Sequence, residues 1–281
     1  MDSIAHYKIL ERVGESRLGD VFRARDTRLG RTVAIKVPPD SIQQDQVKRD
    51  ALIADARAAM VLSHPNIALL YEAGDENGRA FLACEFVPGD ALDRVIAGHA
   101  LNARRAIDLT VQIADALADA HAAGMAHGNL TADAVVVTPK GSAKILDFGL
   151  ARWTRADGRA GDEAADIRAL GALFYEMLTG KAPLASANAP PTSLNKSLPS
   201  EVDEIAAKAL STDADRAYQA VVTLAAELRS VAAALEVRAE AADTTRPVPL
   251  RGAARRSKAP WIAVAFVVAA AAIAAAWWWM R

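Results

Sequence analysis

Cysteine is almost absent from this 281-residue sequence, aromatic residues are few, and neither sign of charge dominates. The single cysteine, Cys84, excludes an internal disulfide and is typical of a reducing compartment. The 33 lysine and arginine residues nearly balance the 34 aspartate and glutamate residues, so nothing indicates a nucleic-acid partner. Residues 1–30 are densely charged and lack a long apolar run, so we predict no secretory signal there.

What the sequence does contain is a series of short motifs in a fixed order. The first half has V-G-E-S-R-L-G-D-V at 13–21, V-A-I-K at 33–36, H-P-N-I at 64–67 and C-E-F-V at 84–87. The second half has H-G-N-L-T-A-D-A at 127–134, D-F-G at 147–149, D-I-R-A-L-G at 166–171 and Y-E-M-L-T-G at 175–180. In type and order these motifs resemble the bacterial Ser/Thr protein kinase family over most of the chain.

The resemblance implies an α+β, bilobal protein-kinase-like fold, with a small β-rich lobe carrying one helix and a large, mainly helical lobe. We expect the small lobe at residues 1–87 and the large lobe, with a shortened activation segment, at 88–238. A basic, disordered linker at 239–260 and a C-terminal transmembrane helix at 261–280 are expected to follow. Local patterns predict hairpin strands near Tyr7–Gly14 and Asp20–Arg25, and a helix over Ala103–Ala123.

The same resemblance implies an ATP site, which we expect to be weak. Its predicted residues are Val13, Gly14, Gly19, Val21, Ala34, Lys36, Asp55, Glu85, Val87 and Asp147. Ser16 stands where the family has the middle glycine, so the hairpin either still covers the phosphates or no longer meets them.

Lys36 is predicted to face inward from an apolar strand, where a lysine needs an ionic partner. In the family this partner is a glutamate nine residues before the histidine of H-P-N-I, and here that position is Asp55. We therefore expect a pair between Lys36 and Asp55. The pair serves phosphate binding, the stability of the small lobe, or both.

The residues that carry the chemistry in the family are replaced at three positions. Asn129 occupies the position of the catalytic base, Thr131 that of a lysine, and Ala134 that of a metal-binding asparagine. A neutral amide does not accept a proton near neutral pH, and loss of a general base costs about 10²–10⁴-fold in rate. Asp147 alone remains as a predicted magnesium ligand, because the register of the neighbouring Asp133 points it elsewhere.

The predicted segment for peptide substrates is also reduced. Only 18 residues, 148–165, separate Asp147 from Asp166, and Thr154 is the only hydroxyl residue among them. The Ala-Pro-Glu motif is absent from this interval, which leaves Arg216 without the glutamate partner that the family provides. Solvent or a new carboxylate such as Glu163 is expected to satisfy it.

His127, Phe148 and Asp166 match positions that brace the family's fold whether or not it catalyses. Their retention beside the lost reactive groups favours a pseudokinase that acts as a signalling scaffold with a protein partner. The alternatives are a weak or atypical Ser/Thr kinase, a nucleotide sensor in which ATP binding sets the conformation, and the product of a damaged gene under no constraint. Retention of Lys36 and Asp147 favours the sensor over a nucleotide-free scaffold.

The C-terminal run at 261–280 is uncharged and, as a helix, is about 30 Å long, enough to cross a bilayer. Tryptophans near its two ends are typical of membrane interfaces. Positive charges cluster before the run, at Arg246, Arg251, Arg255, Arg256 and Lys258. We therefore predict a single-pass protein of the cell (inner) membrane with a cytoplasmic kinase-like domain.

Overall fold

The computed structural model describes residues 2–184, 188–244 and 277–279. Contacts between residues divide the chain into two units, Met1–Leu235 and Glu236–Arg281. The lobes described below belong to the first unit, except for the last residues of the final helix, which fall in the second. Their arrangement is the two-lobed architecture that the sequence motifs predict.

The small lobe is built on a six-stranded antiparallel sheet with the strand order β1-β2-β3-β4-β6-β5. The strands are β1 Ser3–Ile4, β2 Tyr7–Ser16, β3 Gly19–Asp26, β4 Thr32–Val37, β5 Leu70–Glu76 and β6 Arg79–Glu85. The predicted hairpin is present, and both of its strands extend beyond the predicted bounds. The lobe has two helices rather than the predicted one, because the short α1, Asp40–Gln43, precedes α2, Gln46–Ala59.

Helix α2 begins where the sequence supplies a cap. Asp45 accepts a hydrogen bond from the backbone N–H of Lys48 at 3.2 Å, which satisfies one of the free donors of the first turn. Its buried face includes Leu52, Ile53 and Ala56, which pack in one cluster with residues of β5 and β6. This packing fixes the helix against β5 and β6, and β6 pairs with β4, the strand that carries Lys36.

The large lobe is mainly helical, with a small sheet at its edge. This sheet joins β7 Asp90–Ala91, β8 Val135–Val137 and β9 Ala143–Ile145. Its helices are α3 Leu92–Ile96, α4 Ala103–Ala122, α5 Ala151–Thr154, α6 Glu163–Thr179, α7 Pro191–Leu194, α8 Glu201–Leu210 and α9 Val221–Thr244, and a 3₁₀ turn covers Ala132–Ala134.

Helix α4 confirms the helix predicted over Ala103–Ala123, ending one residue earlier. Asn102 caps it by accepting from the backbone N–H of Arg105 at 2.8 Å. Its buried residues recur at helical spacing, among them Ile107, Ile113 and Leu117, and they form one core with α6. The loop with the replaced residues follows α4 and precedes β8, so the core of the lobe holds it in place.

Helix α9 continues to Thr244, so residues 239–244 of the predicted disordered linker are helical. Alanine and glutamate, both strong helix formers, supply most of this stretch. The rest of the predicted linker, and the predicted transmembrane helix apart from three residues, lie outside the described part of the chain. The exception is Trp277–Trp279, which is helical and exposed. Among the described helices, none combines the length and the apolar character that crossing a bilayer requires.

Candidate functional site

A cavity of about 300 Å³ lies between the small sheet-bearing lobe and the large lobe. Eight of the ten predicted nucleotide-binding residues line it: Val13, Gly14, Val21, Ala34, Lys36, Glu85, Val87 and Asp147. The other two, Gly19 and Asp55, are not part of this lining. The sequence motifs therefore predict where the cavity lies. Gly19 and Asp55 make their contacts outside its lining.

Gly19 lies at the close approach of the hairpin to β4. Its φ is +98°, a conformation that L side chains rarely adopt, and an added Cβ would collide with the carbonyl oxygen of Val37. Glycine is therefore required at this position by the fold. Its predicted contact with a nucleotide stays a prediction.

Ser16 fixes the tip of this hairpin by hydrogen bonds within the turn. Its hydroxyl donates to the carbonyl oxygen of Gly19 and accepts from the backbone N–H of Leu18, both at 3.2 Å. Gly14, in contrast, has open space around the position of a Cβ. The loop that faces the cavity thus has one end without a side chain and a tip held by Ser16.

Lys36 is the buried cation of the cavity, with 4% of its surface exposed. Its Nζ pairs directly with Oδ1 of Asp147. Burial by itself lowers the pKa of a lysine, but the attraction and hydrogen bond of Asp147 raise the pKa of Lys36 above its ordinary value. Lys36 is therefore charged, and its partner is the aspartate of D-F-G rather than the predicted Asp55.

Asp55 is held by the segment that follows D-F-G. Its Oδ2 accepts from the indole Nε1 of Trp153 at 2.7 Å and lies 3.4 Å from Nε of Arg152. Both residues belong to α5, and Trp153 packs against the apolar cluster that contains Leu52 of α2. The predicted pair of Lys36 and Asp55 is wrong, because each of the two finds a nearer partner.

Asn129, at the position of the catalytic base, uses its amide as a hydrogen-bond donor. Its Nδ2 donates to Oγ1 of Thr154 at 3.0 Å, and the Thr154 hydroxyl lies 3.3 Å from the carbonyl oxygens of Leu150 and Ala151. A hydroxyl of this chain thus stands beside the group that replaces the base. That group has no proton-accepting carboxylate to offer.

A second, smaller cavity of about 50 Å³ adjoins Asn129, Thr131, Ala134 and Asp147. Oγ1 of Thr131 is buried there and has no hydrogen-bond partner among the described residues. Ala134 brings no ligand atom in its side chain. Asp133 lines this cavity together with Asp147 and forms an ion pair at 3.3 Å with Nε of Arg17, so the expectation that it lies away from the site does not hold.

The predicted bracing residues are confirmed. Asp166, which is fully buried, accepts from the backbone N–H groups of His127 and Gly128, each at 2.7 Å, and from Nε2 of His121 at 2.9 Å. The rings of His127 and Phe148 meet edge to face with centroids 5.0 Å apart. These contacts hold the loop at 127–134 against α6 and against D-F-G.

His127 is held as a neutral imidazole. Burial lowers its pKa below the ordinary value, although Asp166 and the carbonyl of Leu146 oppose this shift. Its Nε2 lies 2.9 Å from that carbonyl oxygen, and its Nδ1 accepts from the backbone N–H of Asn129 at 3.2 Å. The tautomer with the proton on Nε2 satisfies both contacts.

The shortened segment crosses the loop at Gly128, where the family has arginine. A Cβ on Gly128 would lie 2.5 Å from Cα of Gly161, so the two backbones touch. Arg155 strengthens the crossing by donating from Nη1 to the carbonyl oxygen of Gly128 at 2.9 Å. The loss of the arginine and the shortening of the segment are therefore one structural feature.

Arg216 is satisfied by a neighbour in sequence. Its Nε lies 3.5 Å from Oδ2 of Asp213, and 82% of its side chain is exposed. The candidate partner Glu163 lies instead 3.9 Å from Nδ1 of His121. Solvent and Asp213 thus replace the missing glutamate.

Sequence reasoning missed Arg17 as a residue of the smaller cavity and Trp153 as the partner of Asp55. Trp153 is the only aromatic residue between Phe148 and Phe174, and a tryptophan that packs against a core usually finds a hydrogen-bond partner for its indole N–H. Arg17 offers a similar signal, since it places a cation at the tip of a loop that covers phosphates in the family. Cys84 also lines the cavity, and its burial raises the pKa of the thiol to about 12, so the thiol is protonated.

The larger cavity combines an apolar lining with one buried cation. Apolar residues such as Val21, Ala34 and Val136 line the larger cavity, and Lys36 supplies a cation. Across the described ranges, no group of three or more His, Cys, Asp or Glu side chains is placed to hold a metal. Asp147, the predicted magnesium ligand, is engaged by Lys36.

A β-rich lobe and a helical lobe around a cleft, with an inward lysine and the aspartate of D-F-G, define the protein-kinase architecture. The sequence profile of the family described as "Protein kinase domain" matches residues 7–162, more than half of the chain. The chain belongs to this family.

Two bacterial Ser/Thr protein kinases are similar to the chain in sequence. Serine/threonine-protein kinase PknA of Mycobacterium tuberculosis is 31% identical over 236 residues, covering 71% of this chain and 55% of PknA. Serine/threonine-protein kinase pkn3 of Myxococcus xanthus is 31% identical over 214 residues, covering 65% of this chain and 39% of pkn3. The chain therefore spans about half, or less, of these relatives.

The crystal structure of the Mycobacterium tuberculosis PknI kinase domain is similar with a TM-score of 0.68. The matched region covers 81% of this chain and 97% of the PknI kinase domain, at 22% sequence identity. At this identity the likeness shows the fold and nothing finer.

Proposed function

We propose that this protein is a pseudokinase, a kinase-fold regulator that binds a nucleotide weakly and transfers little or no phosphate. The observation that carries the proposal is the hydrogen bond from the Asn129 amide to Thr154. The position of the base is occupied by a neutral donor, and the chain's own segment lies over it. The protein acts by binding a protein partner in a signalling pathway.

The alternative is a weak or atypical Ser/Thr protein kinase. The names of the relatives favour it, because PknA and pkn3 are both Ser/Thr kinases. The chemistry of the site favours the pseudokinase, since phosphoryl transfer depends on positioned charge and metal ions. Here the base, the second metal ligand and the neighbouring lysine are replaced by Asn129, Ala134 and Thr131.

Nucleotide binding is supported by the cavity and by Lys36. ATP supplies a phosphoryl donor in the family, and magnesium neutralises its phosphates. In this chain Lys36 offers one charge to the phosphates, and Asp147 offers one carboxylate to a metal ion. Because these two are paired with each other, a metal ion competes with Lys36 for Asp147.

Nucleotide binding is therefore expected to depend on Lys36 more than on magnesium. Millimolar ATP is expected to raise the melting temperature of the full-length protein in EDTA, and the Lys36→Ala protein is expected to show no shift. Asp147→Asn is expected to keep the shift, because Lys36 loses a competing carboxylate. Lys140→Ala, an exposed lysine in the turn between β8 and β9, is the matched control.

Each variant is compared with its own melting temperature without nucleotide, which separates ligand binding from changes in stability. If ATP changes the melting temperature of neither the parent protein nor any variant, the nucleotide-binding part of the proposal fails. A plain scaffold then remains.

We further propose that the run at 261–280 anchors the protein in the cell membrane, with the kinase-like domain in the cytoplasm. The length of the run, its lack of charge and the positive charges before it support this proposal. An inserted helix holds more strongly than contact of a basic linker with lipid headgroups, which salt weakens.

The full-length protein is expected to sediment with membranes and to stay there in high salt, because the anchor is apolar. Deleting residues 261–281 is expected to move the protein to the soluble fraction. Protease added outside intact cells should leave the domain whole. Release by salt would show a peripheral contact, and cleavage from outside would reverse the orientation.

A further inference from the structure

Arg17 links the tip of the small-lobe hairpin to the loop of the large lobe. Its Nε lies 3.3 Å from Oδ2 of Asp133, and its Nη2 lies 3.4 Å from Oδ1 of the same carboxylate. About half of each side chain is exposed. Exposed pairs of this kind add little to folding stability, so the pair is free to exchange partners.

The smaller cavity lies where this pair meets the buried pair of Lys36 and Asp147. Arg17, Lys36, Asp133 and Asp147 all line it, so two cations face it and each is held by a carboxylate of the protein. The buried hydroxyl of Thr131 lines the same cavity and has no partner in the described part of the chain. The cavity thus presents the guanidinium of Arg17, the ammonium of Lys36 and the hydroxyl of Thr131, which has no hydrogen-bond partner within the described ranges.

We propose that Arg17 is a phosphate-binding residue, which takes the terminal phosphates of a nucleoside di- or triphosphate in exchange for Asp133. This proposal rests on the proposed nucleotide binding. It assigns to Arg17 the positive charge that the family's lysine, here Thr131, would have provided. The guanidinium binds two oxygens of one phosphate at once, as it now spans both oxygens of Asp133. In the same way, Lys36 exchanges its partner Asp147 for a phosphate. The Thr131 hydroxyl donates a hydrogen bond to another phosphate oxygen.

The exchange supplies positive charge to the phosphates from side chains of both lobes, in addition to any magnesium ion that Asp147 holds. Asp133 and Asp147 then act as competitors of the ligand. Removing a cation and removing its competing carboxylate are therefore expected to change affinity in opposite directions.

The test measures the dissociation constants of ATP, ADP and adenosine for the full-length protein in mild detergent and EDTA, by displacement of a fluorescent ATP analogue. Arg17→Ala is expected to weaken ATP binding about tenfold and to leave adenosine unchanged. Asp133→Ala is expected to tighten ATP binding about threefold, again without effect on adenosine. Arg12→Ala, which removes an arginine of the same hairpin paired with Asp20, is the matched control and is expected to change neither.

Each other outcome counts against the proposal. If Arg17→Ala weakens the binding of ATP and of adenosine equally, the residue has a structural role. Weaker ATP binding after Asp133→Ala would exclude Asp133 as a competitor. If the parent binds ATP and Arg17→Ala does not alter it, the role of Arg17 fails while nucleotide binding stands. If the parent binds none of the three ligands, both fail together.

Discussion

The full-length protein, incubated with labelled ATP and magnesium or manganese, is expected to label neither itself nor generic acceptor proteins. Replacement of the base alone costs about 10²–10⁴-fold in rate, and Asn129 is a hydrogen-bond donor to Thr154 rather than an acceptor of a proton. Ala134 also removes a metal ligand. Incorporation is therefore expected to stay at the level of the reaction without enzyme.

Restoring one residue is not expected to recover activity. Asn129→Asp supplies a carboxylate, but metal ligation at Ala134 and the docking segment for a peptide are still missing. Lys36→Met, which removes the buried cation, is the control for contaminating kinases. Labelling by the parent that Lys36→Met abolishes would falsify the pseudokinase proposal and establish the weak Ser/Thr kinase instead.

Asp166→Ala is expected to produce the largest loss of stability among substitutions outside the apolar core. The variant leaves the buried N–H groups of His127 and Gly128 and the ring of His121 without their acceptor. Removing one partner of a buried, fully paired carboxylate typically costs about 3–5 kcal/mol in the free energy of unfolding. For a domain of this size the melting temperature falls by roughly 10 °C.

Two further variants decide the cause. Asp166→Asn keeps one acceptor oxygen and is expected to lose less stability than Asp166→Ala. Glu163→Gln removes an exposed carboxylate from the same helix and the same histidine, and is expected to change the melting temperature little. A small effect of Asp166→Ala, similar to that of Glu163→Gln, would mean that the contacts around Asp166 do not hold the loop.

Positions that depend on spacing along the chain were predicted well from the sequence. The inward direction of Lys36, the bracing by His127, Phe148 and Asp166, and the lining of the cleft all follow from motifs at fixed positions in strands and loops. Local signals also predict α4 almost to its ends, because a cap at Asn102 and an apolar helical period define it.

The pairings of charges across the cleft were not predictable in the same way. The partner of Lys36 lies 111 residues away, and the partner that Asp55 finds in Trp153 lies 98 residues away. Which carboxylate reaches Lys36 depends on the path of the segment after D-F-G, and that segment has no periodic pattern. The contact of Arg17 with Asp133 joins two lobes, so it too depends on the folded arrangement and not on a local motif.

The backbone contact between Gly128 and Gly161 has a consequence for the history of this protein. An arginine cannot return to position 128 while the following segment takes its present course, because even the first side-chain atom meets Gly161. The segment would have to lengthen or change its course before a side chain at position 128 finds room. The two changes are therefore coupled in a fixed order, in which the backbone moves first and the arginine follows.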